Sequence, residues 1–166
     1  MRKKLALGGF AAAAVLMIGT WSCTKEVAKL QGPTDAQMFS WAQQASGRFY
    51  YQNDTTTIIT PAPAQGNFHG PFKEWFNAPA KNSLGGDGKL AQGDVFRDSA
   101  LIVKELHTGS TVTGYAVMFK LNQAWSWGWY NVNGAVNQSV SADASLCLSC
   151  HNGAGNRDQV LTFTYH

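Results

Sequence analysis

Apolar and polar positions alternate most clearly in the second half of the chain. In "SALIVKELHT" (99–108), Ala100, Ile102, Lys104 and Leu106 fall on one face and Leu101, Val103 and Glu105 on the other. That period of two predicts a β-strand, each face apolar with one charge. After the turn-like "GSTVTG", the stretch "GYAVMFKLN" (114–122) sets Tyr115, Val117, Phe119 and Leu121 together, with Ala116, Met118 and Lys120 opposite. Two such strands joined by a short turn predict an antiparallel hairpin. "WSWGWY" then puts Trp125, Trp127 and Trp129 on one face. A row of this kind serves a packed core or interface, the commoner case, or the edge of a bound cofactor.

The first half is patterned differently. Met38, Trp41, Ala42 and Ala45 recur at helical intervals, predicting one helix over roughly 36–46 with Asp35 as its cap. From Asn53 to Gly70 the text is mostly Thr, Pro, Ala, Gln and Gly, the composition of a long loop. There is no internal repeat and no low-complexity tract. At 166 residues and 45% hydrophobic composition, the chain suits one domain with one ordinary core.

Residues 1–22 stand apart: Arg2, Lys3 and Lys4 precede an apolar run from Leu5 to Ile18, the pattern of an export signal and too short for a spanning helix. "GTWSC" followed by "TKEVAK" resembles a bacterial lipoprotein signal. That resemblance implies lipidation of Cys23, an anchor on the periplasmic side of the outer membrane, and contact with the membrane through the lipid only. Ordinary secretory cleavage after Ser22 is the alternative; it would leave Cys23 an unpaired exported thiol. Residues 23–35, polar and containing Gly32 and Pro33, then form a tether, and 36–166 the folded domain. Three of the 13 basic residues lie in the leader, so the remaining ten face ten acids. With no net positive charge left, nothing points to nucleic acid.

The chemistry concentrates in "CLSCH" (147–151). In C-x-x-C-H, two thiols join haem through its vinyl groups and the adjacent histidine takes the iron. Cys147 and Cys150 are thus the expected attachment points of one covalent haem c, and His151 its proximal ligand. A redox disulfide would sit at the start of a helix in a β-α-β unit, a pattern missing here. Zinc would need a further ligand at a usual spacing. Export favours haem, since c-type attachment takes place outside the cytoplasm. No methionine follows His151; the remaining histidines, His69, His107 and His166, are each able to ligate, but isolated histidines are more often at a surface or in a hydrogen bond. The iron is therefore expected to be five-coordinate, with an open distal side that takes small molecules. One helix and a strand-rich second half fit a helical-bundle cytochrome poorly.

"VFRDSALIVKEL", "GYAVMFKL" and "CLSCH" with "RDQVLTFTYH" behind it, in this order over roughly 70–166, resemble the cytochrome P-460 family and its sheet-rich relative, cytochrome c prime beta. "WFNAPAKNSL" resembles the stretch before the lysine strand of these proteins. The resemblance implies an α+β fold, mainly antiparallel β-sheet with flanking helices, usually as a homodimer, with one haem near the C-terminus. It also implies a haem-contacting role for Lys104, whose counterpart in P-460 proper is covalently linked to the haem ring. The members that oxidise hydroxylamine use a distal carboxylate from a segment after the lysine strand, whereas here no Asp or Glu lies between Glu105 and Asp143. The expected functions are binding of nitric oxide or a similar nitrogenous ligand with electron transfer to a redox partner protein, an enzyme acting on hydroxylamine or nitric oxide, or an accessory electron-transfer lipoprotein.

Overall fold

The structure, a computed structural model, describes residues 32–61 and 68–165. The leader, Cys23, most of the tether, residues 62–67 of the expected loop and His166 lie outside the described residues. The chain forms a six-stranded antiparallel sheet flanked by short helices, an α+β architecture. In chain order the strands are β1 (Phe49–Tyr50), β2 (Phe72–Phe76), β3 (Leu101–Thr108), β4 (Thr111–Leu121), β5 (Ala124–Asn131) and β6 (Val136–Ser141), and each pairs with its sequence neighbour.

The β3–β4 hairpin forms as expected, but its turn is tighter. Thr108 pairs with Thr111, leaving Gly109 and Ser110 as the two-residue connection, with Gly109 at φ +59°. "TVTG" is therefore strand rather than turn, because a two-residue loop matches the twist of paired strands. The expected faces also appear. Ile102 and Met118 pack with Phe76, Trp125 and Trp127 on one side, beneath Leu90, Phe96, Val160 and Phe163. Leu101, Val103, Tyr115 and Val117 pack with Trp75 and Tyr130 on the other. Each large side chain buried in this way contributes about 1.5–3 kcal/mol.

The second face is covered by α1 (Asp35–Ala42), whose Met38 and Ala42 are fully buried against the sheet. Its cap is Thr34, not Asp35: Thr34 Oγ1 accepts from Gln37 N at 3.3 Å and Gln37 Oε1 from Thr34 N at 2.9 Å. This reciprocal box satisfies two helix-end donors. It frees Asp35 Oδ1 to accept from Tyr130 Oη at 3.0 Å and Val140 N at 2.7 Å, tying α1 to β5 and β6. The helix ends at Ala42 and excludes Ala45, since Arg48 turns back and donates to the carbonyls of Ala42 and Gln44.

The other face is covered by irregular chain from 82 to 100, by α2 (Ala78–Lys81), α3 (Ser145–His151) and α4 (Thr162–Tyr165). Asn77 caps α2 while its Oδ1 also accepts from Leu101 N at 2.9 Å, fixing the path into β3. On this face, Glu74, Lys104, Ala116 and Trp129 stand in one row across β2 to β5.

Candidate functional site

α3 carries the sequence "SLCLSCH". Its spacing of three and four residues sets Cys147, Cys150 and His151 along one side of the helix. All three line a cavity between α3 and the sheet. Phe72, Ile102, Met118, Trp127 and Trp129 make most of the sheet wall, and Val160–Thr162 closes one end. Both thiols are free. Burial, and then the charge of Cys150, push the Cys147 thiol up from its ordinary value, the opposite of an activated redox cysteine. Among the described residues no cluster of three or more His, Cys, Asp and Glu side chains is arranged to hold a metal ion by itself.

His151 is 6% exposed, its ring 4.6 Å from that of Trp127. Nδ1 lies 2.6 Å from the Gln159 carbonyl oxygen. A carbonyl only accepts, so Nδ1 carries the proton and donates, and Nε2 keeps the lone pair a metal needs. Asn156, Asp158 and Gln159 adopt φ of +59°, +48° and +65°, a tight path that brings this carbonyl back to the ring. Burial pulls the imidazole down to about 4, the Gln159 carbonyl opposing and the Lys104 charge adding to the shift. At neutral pH the ring is uncharged, as a ligand must be.

Lys104 reaches the same cavity. Its side chain is 14% exposed, with Nζ 4.3 Å from the centre of the Phe72 ring and 3.9 Å from Glu74 Oε2. The strand face on which the sequence puts Lys104 is thus the face that meets Cys147, Cys150 and His151. Burial lowers the pKa of its amine and Glu74 opposes this.

Two cavity residues escape the sequence reading. Glu74 is the first: 2% exposed, it accepts from Thr162 Oγ1 through Oε2, while Oε1 is buried without a partner. Burial pushes its carboxyl up, against the pull of Lys104 and Thr162. The stretch between Glu105 and Asp143 holds no acid, but β2 brings one directly opposite Lys104 in register. The signal was present in "FKEWF", where Phe72, Glu74 and Phe76 alternate on the apolar face. The second is His69, which lines the cavity with its ring centre 6.4 Å from that of His151. Its Nδ1 is buried and unpartnered, and burial, then the charges of Lys104 and His151, pull its pKa down to about 3. Nothing local in "NFHGP" distinguishes it from a surface histidine. His107, beyond a bulge in β3, does not line the cavity.

Trp127 serves core and cavity wall together, while Trp125 is core and Trp129 wall. Nε1 of Trp127 is a further buried polar atom without a partner. A cavity whose walls hold three such atoms, on His69, Glu74 and Trp127, is built to receive a group that carries polarity of its own. Compared with protein-family models, curated proteins and solved structures, the chain finds no match.

Proposed function

We propose that this protein is an exported monohaem c-type cytochrome, similar to the cytochrome P-460 family, which holds haem in the α3 cavity. On this reading Cys147 and Cys150 form the thioether links and His151 is the fixed axial ligand. The observation that carries it is convergence: both free thiols and a neutral, tautomer-fixed imidazole face one largely apolar cavity. Haem, when bound, supplies an iron centre that takes up electrons and small nitrogenous ligands such as nitric oxide. The chain's own residues do the rest. Gln159 orients the His151 ring and strengthens its donor nitrogen, Trp127 packs against that ring, and the apolar wall excludes bulk water.

An enzyme acting on hydroxylamine is the second reading, and Glu74 is the observation in its favour. Dehydrogenating an amine needs a base, and a buried carboxylate beside Lys104 is of the right kind. The redox partner, the anchor through Cys23 and a homodimer belong to the same proposal.

Expression of the full chain with its leader in a host that matures c-type cytochromes tests it. Intact-mass measurement is expected to show one haem added, and the pyridine haemochrome spectrum both vinyl groups saturated, falling to one in Cys147→Ala or Cys150→Ala. His151→Ala is expected to keep the attached haem only in low yield and with an altered optical spectrum. A wild-type chain whose mass carries no haem would refute the reading.

A further inference from the structure

The sequence leads to an iron bound by His151 alone, with the opposite side vacant. The cavity has a second imidazole. We infer that His69 is the second axial ligand, standing across the iron from His151, so that the resting centre is six-coordinate and a small ligand enters only by displacing His69. This rests on the haem reading above.

Three observations support it. The first is distance. First-row metal–imidazole bonds of about 2.0–2.1 Å on opposite sides of one atom, plus about 1.1 Å from each nitrogen to its ring centre, separate the centres by about 6.3 Å. The two rings here are 6.4 Å apart and inclined at 66°. The second is an unmet bonding demand. His69 packs edge-on against the rings of Phe68 and Trp129, at 5.6 and 6.3 Å, and its Nδ1 is buried without a hydrogen bond. A buried ring nitrogen left without a partner costs about 1–3 kcal/mol unless something in the cavity takes it. The third is selectivity among candidates. Lys104 is the other basic side chain in the cavity, but it is engaged by Glu74 and by the Phe72 ring. His69 has no such competitor among the described residues.

A displaceable ligand has a functional consequence. A small molecule binds only the fraction of protein in which His69 has left, so its apparent affinity falls by that fraction. The protein would then respond to a strong iron ligand such as nitric oxide and ignore weak ones.

The test uses the mature haem protein and reads coordination directly, by optical and electron paramagnetic resonance spectra of the ferric form. Wild type is expected to be low-spin and six-coordinate. His69→Ala is expected to become high-spin, to recover the low-spin signature on adding imidazole, and to bind carbon monoxide in the ferrous form about tenfold more tightly or better, the gain expected when the open form is about 10% populated or less. If His69→Ala does not fold, the wild-type spectrum with His69→Met, expected to shift toward histidine–methionine character, still decides. A haem-bearing wild type that is high-spin overturns this inference alone, as does a low-spin spectrum unchanged by removing His69. Loss of the low-spin signature in Lys104→Met with His69 intact would assign the position to Lys104 and equally overturn it. A chain with no covalent haem overturns the proposed function, and this inference with it.

Discussion

Glu74 and Lys104 face each other across β2 and β3, and each sets the state of the other. Burial raises the carboxyl and lowers the amine, and the opposite charge resists both shifts. Their effects on stability have opposite signs. A carboxyl whose pKa is raised in the fold holds its proton more tightly than in the unfolded chain, so its contribution is lost as pH rises from the ordinary value of 4.5. An amine lowered in the fold binds its proton less tightly, so its contribution is lost as pH falls below the ordinary 10.5. Lys104→Met removes the second dependence and the resistance to the first. As pH rises above the ordinary 4.5 of the carboxyl, the variant is expected to lose stability steadily relative to wild type, by about 1–3 kcal/mol, as a buried group left without its partner does. Adding Glu74→Gln should flatten the curve. Urea midpoints across this range measure it, and parallel curves for Lys104→Met and wild type would rule out the coupling.

Among the elements, β5 shows what periodicity reveals and what it hides. The alternation of Trp125, Trp127 and Trp129 is written in the sequence and appears in the structure, because one residue per pleat points each way. The need for Gly128 between them is not. A Cβ at 128 would come within 2.2 Å of Tyr130 Oη and 2.8 Å of its Cζ. The Tyr130 ring lies back over Gly128, fully buried, because its hydroxyl reaches Asp35 in α1. That contact joins residues 95 positions apart, so no window along the chain contains it. For the same reason Asp35 reads locally as a cap while the capping is done by Thr34. β2 and β6 are hidden differently: the alternation of β2 lasts only five residues and β6 is polar and partly exposed, so neither stands out along the chain. Gly128→Ala is expected to cost about 1–3 kcal/mol, the range for overpacking. Tyr130→Phe, which removes the nearest atom and the bond to Asp35, should make the added methyl cheaper to accept. In a double-mutant cycle by thermal unfolding the two changes should therefore couple; simple additivity would show that Gly128 is not held small by Tyr130.

Over the whole molecule, the site depends on folding the C-terminal segment onto a sheet completed before it. The strands follow one another in order, so the row from Glu74 to Trp129 assembles from neighbours, whereas α3 has no strand partner to place it. The residue types of the site were readable from "CLSCH" and from the Lys104 strand, since they are chemistry at fixed spacing. Their meeting in one cavity was not, because it rests on Asp158. Its carboxylate accepts from Lys120 Nζ at 2.6 and 2.8 Å and from Phe96 N at 2.8 Å, and its carbonyl accepts from Trp125 Nε1 at 2.9 Å. The next residue, Gln159, supplies the carbonyl that orients His151. Lys120 looks like an ordinary surface charge at the end of a strand, yet it is 2% exposed and spans the gap between sheet and tail. Asp158→Ala leaves that ammonium buried and unpaired, a loss of about 3–5 kcal/mol. It is expected to lower the melting temperature and, on the haem reading proposed above, to cut the haem-to-protein ratio, since the His151 donor loses its support. Replacing both partners with apolar residues, Lys120→Met with Asp158→Leu, should recover most of the stability, because no charge is then stranded. It should not recover the haem ratio, because the bond to Phe96 N that fixes the tail is still missing. Haem content that returned together with stability in the double variant would show that Asp158 acts through stability alone and does not position the site.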